Sequence, residues 1–122
     1  MIWLALPLVF WGLKKVYDNW EQIRDWFANV LREVAKLIRE AGKFFGPRTR
    51  HATEVVAILL DRAAAKIAHK TYVEQPDGNI KITTSEAEVP LDEVKPEIRR
   101  KLKVIGEEYN VEQEMMDEVR DY

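Results

Sequence analysis

Apolar side chains recur along residues 16–44 at alternating steps of four and three positions. This heptad spacing predicts an amphipathic helix with its charged residues on the opposite face. The same steps can be followed back to Ile2, so the pattern predicts one continuous helix of about 40–45 residues, roughly 65 Å long. We expect copies of the chain to associate along a seam in this helix. The predicted seam residues are Trp20, Ile23, Phe27, Val30, Val34 and Leu37.

The first thirteen residues carry no charged side chain and are followed by Lys14 and Lys15. A helix that is apolar on every side is buried in a core, a membrane or a partner. Residues 1–17 would rise about 26 Å, slightly less than the roughly 30 Å hydrocarbon core of a bilayer. They are therefore a possible membrane segment that spans the bilayer or lies in its interface, while the missing basic start disfavours a cleaved signal. The predicted anchor residues are Ile2, Trp3, Leu4, Leu6, Leu8, Val9, Phe10 and Trp11.

The remainder of the chain is punctuated by turn and cap residues. Gly46-Pro47 ends the long helix, and the alanine-rich stretch from about Thr49 to His69 predicts a second helix that runs antiparallel to the first. The sequence Pro76-Asp77-Gly78-Asn79 between β-prone flanks predicts a β-hairpin. Lys95-Pro96 opens a short helix, and Asn110 with Gln113 predicts a capped final helix that ends near Arg120.

These elements predict a mainly α fold with a small β-hairpin, in the α+β class. The expected order is a long N-terminal helix, a second antiparallel helix, the hairpin and short C-terminal helices. A chain of 122 residues suits one domain. Within it we expect residues 1–45 to form the long helix, and residues 46–122 to form a helix, the hairpin and an acidic helical part.

Charge is distributed unevenly along the chain. Residues 1–50 have a net charge of +4 and residues 51–122 a net charge of −6, within a total of −2. This total, together with the lack of a recognised binding motif, argues against a nucleic-acid partner. Basic residues near the ends of the long helix are candidates for binding anions or lipid headgroups. They are Lys14, Lys15, Lys43, Arg48 and Arg50.

Few residues suggest chemistry. The chain has no cysteine, which excludes disulfides and thiolate metal sites. His51 and His69 would lie about 27 Å apart on one helix, too far to share a metal. Ser85 has no histidine partner that the sequence identifies, and the five glycines form no phosphate-binding loop. We therefore expect no catalytic residues, no metal and no cofactor.

Two functions are consistent with these patterns. The first is a non-enzymatic, membrane-associated helical protein that self-assembles through its N-terminal helix, as a membrane-perturbing effector or a scaffold, with its C-terminal part in the cytoplasm. The alternative is a soluble cytoplasmic protein-binding module, such as an adaptor, immunity or antitoxin-like protein, whose N-terminal helix is buried in an oligomer or a partner. We expect a homo-oligomer with membrane lipid as a partner in the first case, and either a homo-oligomer or a protein partner in the second.

Overall fold

A computed structural model of the protein describes residues 15–45, 50–75 and 77–120. In these residues a five-stranded mixed sheet is covered on one face by one long helix and two short ones. The elements in chain order are β1 (Lys15–Val16), α1 (Trp20–Phe45), β2 (His51–Leu59), β3 (Ala64–Glu74), β4 (Ile80–Pro90), a 3₁₀ turn (Leu91–Glu93), α2 (Pro96–Arg99), β5 (Glu108–Asn110) and α3 (Glu112–Val119).

The strands are arranged in the spatial order β1-β4-β3-β2-β5. Strands β2, β3 and β4 form an antiparallel meander, and β5 adds antiparallel to the outer side of β2. Strand β1 pairs in parallel with β4, with Lys15 opposite Ala87 and Val16 opposite Glu88. The short strand that precedes α1 therefore lies at the edge of the sheet farthest from β5.

The central strand β3 shows why this sheet has one core face. Its odd-numbered residues from Ala65 to Val73 are all buried, as expected for a strand that points alternate side chains to one side. Small side chains there and on the neighbouring strands leave room for a helix, since Ala57, Ala65 and Ala87 are fully buried. The large side chain of Phe27 fills this space from α1 and is itself fully buried.

The C-terminal elements complete the same core. Ile98 of α2 and Met115 of α3 are fully buried, as is Val111, which precedes α3. Polar contacts at the border of this core also join the start of α1 to α3. The indole Nε1 of Trp20 donates a hydrogen bond to Glu118 Oε1, and the ammonium of Lys95 lies 3.0 Å from Glu118 Oε2.

The prediction of a mainly α fold is wrong. The stretch expected to form a second antiparallel helix, Thr49 to His69, forms β2 and the first part of β3 instead. A tight turn at Asp61 separates these strands, because its carboxylate accepts hydrogen bonds from the backbone N–H groups of Ala63 and Ala64. Two of the alanines that favoured a helix, Ala57 and Ala65, are fully buried in the core on the sheet instead.

The continuous helix of 40–45 residues is also wrong, because Lys15–Val16 is a strand and α1 begins at Trp20. The predicted helical hairpin and coiled coil do not form, since Ile23 and Phe27 are buried against the sheet of the same chain. None of the helices in the described residues is both long and apolar enough to cross a membrane, so the predicted transmembrane helix is not found there. The predicted anchor residues 2–11, with Lys14 and Arg48, lie outside the described residues.

Three smaller predictions are confirmed. A β-hairpin joins β3 to β4, with Gly78 at φ +89° in its turn. It is much longer than expected, since each strand has 11 residues. Helix α2 has Pro96 in its first turn, as its missing N–H group permits. The final helix is found as α3, but the predicted pairing of Asn110 with Gln113 at its cap is not. Val111 precedes the helix, Asn110 accepts a hydrogen bond from the N–H of Glu112, and Gln113 donates to Asp117.

Candidate functional site

An apolar cleft of about 410 Å³ lies between α1 and the β1–β4 edge of the sheet. Its position follows from the length of α1, which extends past the buried contacts of Ile23 and Phe27 and presents a further apolar strip beside the sheet edge. Side chains from the segment before α1 and from α1 itself form the apolar walls. They are Tyr17, Trp26, Val30, Val34 and Leu37.

Polar groups occupy defined places around this cleft. Thr83 and Ser85 contribute from β4, Lys15 from β1, and Asn29 and Glu33 from α1. Burial raises the pKa of the Tyr17 phenol above its ordinary value, because burial disfavours the charged phenolate. The cleft therefore has an apolar wall and hydroxyl groups on one side. Among its described lining residues, the ammonium of Lys15 belongs to β1 and the carboxylate of Glu33 belongs to α1.

The outer edge of β4 next to the cleft has few partners among the described residues. Of its 11 residues, Ala87 and Glu88 pair with β1, and the N–H of Tyr17 donates to the carbonyl of Glu88 over 2.8 Å. Among the described residues, no strand pairs with the outer side of β4 from Ile80 to Glu86. An open edge of this kind presents a row of peptide N–H and C=O groups that can accept another strand.

Two aliphatic side chains on this edge are exposed. Ile80 and Ile82 are 57% and 38% exposed, on the face of β4 away from the cleft. Farther along the same face Glu86 lies 3.5 Å from the ammonium of Lys66. The edge thus has an apolar half near the hairpin turn and an acidic residue near β1.

Beneath the cleft, the sheet contains a buried histidine. His69 is 2% exposed, its ring centroid lies 6.0 Å from that of Phe27, and its Nδ1 lies 3.5 Å from Thr71 Oγ1. Burial lowers the pKa of His69, and the carboxylate of Glu112 offsets part of this effect. His69 is also directly opposite Ser85 across β3 and β4, a neighbour that the sequence did not identify. The ring contacts Thr71 and Phe27, as in a packed core residue.

The structure divides the sequence-predicted seam into two groups. Ile23 and Phe27 lie in the core, and Trp20 packs at its border and binds Glu118. The other three line the cleft, namely Val30, Val34 and Leu37.

The structure also separates the predicted basic group. Lys15 is in the cleft at β1, Lys43 is exposed in the last turn of α1, and Arg50 is exposed just before β2. The sequence did not identify Thr83, Ser85 and Tyr17 as cleft residues. The alternation of β4 gave a weak signal for its strand, but nothing in the sequence shows which strand lies at its outer edge.

The described residues include no group of three or more histidines and carboxylates that could hold a metal ion. Comparison with protein-family models, curated proteins and solved structures gives no match for this chain. The cleft and the adjoining edge of β4 are therefore interpreted from their own geometry.

Proposed function

We propose that this protein is a non-enzymatic protein-binding module that accepts an extended apolar segment of a partner polypeptide along β4. The observation that supports this proposal is that an apolar cleft adjoins a stretch of β4, Ile80 to Glu86, whose outer edge has no partner strand among the described residues. The edge supplies backbone hydrogen bonds and the cleft supplies pockets for side chains. Strand addition uses this combination for affinity and specificity.

The dimensions suit an extended segment. The unpaired stretch from Ile80 to Glu86 is about 23 Å long at ~3.3 Å per residue. A strand laid against it would place every second side chain toward Thr83 and Ser85 and the apolar wall of α1. The volume of the cleft also lies in the range of roughly 300–1,000 Å³ that small molecules occupy. An apolar small molecule, however, would leave the peptide groups of the edge without partners.

Membrane association remains a separate prediction. It was based on residues 2–11, which lie outside the described part of the chain, and on Lys14, Lys15, Lys43, Arg48 and Arg50. Self-assembly also remains a prediction. Val30, Val34 and Leu37 line the proposed binding site, so a bound segment and a second copy of α1 would compete for the same side chains.

A fluorescent heptapeptide tests the proposed function. The probe is Thr-Val-Thr-Trp-Thr-Leu-Thr, and the control is the scrambled peptide Thr-Thr-Val-Trp-Leu-Thr-Thr, with the same composition but without alternation. Binding to the full-length protein is measured by fluorescence anisotropy.

We expect the alternating peptide to bind at least tenfold more tightly than the scrambled one. Leu37→Glu places a carboxylate in the cleft and should remove this preference. Val104→Glu is the control, because it introduces the same carboxylate at an exposed apolar residue that follows α2, near the opposite edge of the sheet. Equal binding of the two peptides to the wild-type protein, or no effect of Leu37→Glu on their difference, would contradict the proposal.

A further inference from the structure

We propose that a cavity beside the β2–β3 turn binds a small phosphate monoester whose organic part carries hydroxyl groups, in the class of the sugar phosphates. The cavity has a volume of about 510 Å³ and is formed by this turn, the end of β4, the 3₁₀ turn and α2. It shares no lining residue with the apolar cleft at the β1–β4 edge, so the inference does not rest on the proposed function. The lining residues are Arg62, Ala63, Pro90, Leu91, Asp92 and Arg99.

Hydrogen bonds connect the segments that carry these residues. In the β2–β3 turn, the carboxylate of Asp61 accepts a hydrogen bond from the N–H of Ala63 over 2.7 Å. The carbonyl of Ala63 in turn accepts a hydrogen bond of 2.8 Å from the N–H of Leu91, at the start of the 3₁₀ turn. The guanidinium of Arg99 in α2 donates to the carbonyl of Asp92 in that 3₁₀ turn over 3.3 Å. The turn that carries Arg62 and the helix that carries Arg99 are therefore both tied to the segment between them.

Two guanidinium groups give this cavity the chemistry of a phosphate site. Arg62 comes from the β2–β3 turn and Arg99 from α2, so the two cations reach the cavity from separate elements. Each guanidinium has five N–H donors in a planar arrangement that matches the oxygen atoms of a phosphate group. Arg99 uses one of its terminal nitrogens on the carbonyl of Asp92, and its other donors remain for a ligand. Together the two side chains can bind a doubly charged phosphate.

The carboxylate of Asp92 determines which phosphate compound fits. It also lines the cavity, so an inorganic phosphate ion would meet a like charge there. An ionised carboxylate only accepts hydrogen bonds, and hydroxyl groups are donors that satisfy it. A phosphate monoester with hydroxyl groups can place its anionic end at the arginines and its hydroxyl groups at Asp92. The arrangement of charges therefore favours a sugar phosphate over a simple anion.

The size of the cavity and its other walls suit a ligand of this kind. Sites for small molecules typically have volumes of roughly 300–1,000 Å³ and combine apolar surface with a few polar groups. Pro90 and Leu91 supply apolar surface here, on which the carbon atoms of a sugar can lie. The three charged residues Arg62, Asp92 and Arg99 are exposed, so a ligand can reach them from solvent.

Nuclear magnetic resonance of the full-length protein tests this assignment. Samples at pH 7.0 are titrated with ribose 5-phosphate, with inorganic phosphate or with ribose, and the backbone amide signals of the lining residues locate binding. The variants are Arg62→Gln, Arg99→Gln and Asp92→Ala, and circular dichroism checks that each is folded. Arg100→Gln is the matched control, because Arg100 is the exposed neighbour of Arg99 but does not line the cavity.

We expect ribose 5-phosphate to bind about tenfold more tightly than inorganic phosphate or ribose, since only this probe can use both the arginines and Asp92. Arg62→Gln and Arg99→Gln should each weaken its binding about fivefold or more, because each removes hydrogen bonds between charged groups. Arg100→Gln should change it by less than about twofold, as an exposed charge outside the site contributes little. Asp92→Ala should weaken the binding of ribose 5-phosphate and strengthen that of inorganic phosphate.

Four results would overturn the proposal. The first is that no probe shifts the amide signals of the lining residues. The second is that Arg62→Gln binds ribose 5-phosphate as the wild type does; this variant removes no ion pair of the described residues, so its fold should be intact. The third is an equal loss in Arg100→Gln, which would show general attraction of anions to a basic surface. The fourth is equal binding of ribose 5-phosphate and inorganic phosphate that Asp92→Ala leaves unchanged.

Discussion

The buried imidazole of His69 should make the stability of this protein depend on pH. Its pKa is lowered from 6.5 by burial, so the folded protein resists protonation at a position where the unfolded chain accepts a proton. Below pH 6.5 the unfolded state therefore binds more protons than the folded state. The free energy of unfolding must then decrease as the pH falls.

The size of this effect has an upper value set by one proton. A difference of one bound proton changes the free energy of unfolding by about 1.36 kcal/mol per pH unit. Between pH 6.5 and 5.0 the loss can thus reach about 2 kcal/mol. The carboxylate of Glu112 attracts the charged ring, which makes the actual loss smaller. The neighbours Val55 and Ser85 carry no charge that could add to this attraction.

Urea unfolding between pH 7.5 and 5.0 measures this dependence. The wild type is compared with His69→Gln, which removes the titrating group, and with His51→Gln, which changes the exposed histidine at the start of β2. We expect the slope below pH 6.5 to decrease in His69→Gln and to persist in His51→Gln. The reasoning is refuted if His69→Gln keeps the wild-type slope, since other groups would then be responsible.

Two further predictions concern the packing of α1. Phe27→Ala removes the largest fully buried side chain among the described residues and should lower the free energy of unfolding by about 3–5 kcal/mol. Thermal or urea unfolding measures this change. A loss below about 1 kcal/mol would mean that α1 does not cover the sheet as described. Burial alone would raise the pKa of Glu118, but hydrogen bonds from Trp20 and Lys95 outweigh it and lower the pKa below 4.5. The ionised Glu118 carboxylate therefore stabilises the fold fully above pH 4.5, and this stabilisation is lost as the pH falls through the folded-state pKa. Glu118→Gln should show less destabilisation by acid than the wild type when unfolding is followed by circular dichroism.

The sequence identified local signals better than it identified partners for them. Pro76-Asp77-Gly78-Asn79 specifies a turn by its own backbone preferences, and the hairpin was predicted correctly. The apolar face of α1 was also recognised in its spacing, with Ile23 and Phe27 among the inward residues. The prediction that this face packs against another helix was wrong, because heptad spacing is similar for a helix that packs on a helix and for one that packs on a sheet.

The largest error was caused by alanine. Alanine has the highest helix propensity and is depleted in strands, so residues 63–68 favoured a helix. In the fold, Ala65 is fully buried in the core, opposite Val89 of the neighbouring strand, an environment that exists only after the tertiary contacts form. The cleft was unpredictable for a related reason. It depends on the position of β4 in the sheet, and that position is set by the arrangement of the five described strands.

The hydrogen bond between Trp20 and Glu118 has a consequence for how the chain folds during its synthesis. These residues are separated by 98 positions, and Val111 and Met115 close the core between them. Helix α1 leaves the ribosome early, at a rate of roughly 5–20 residues per second, but its apolar face cannot be fully covered until α3 has emerged. The nascent chain therefore carries an exposed apolar helix for several seconds, during which chaperones that recognise such surfaces have their main opportunity to bind.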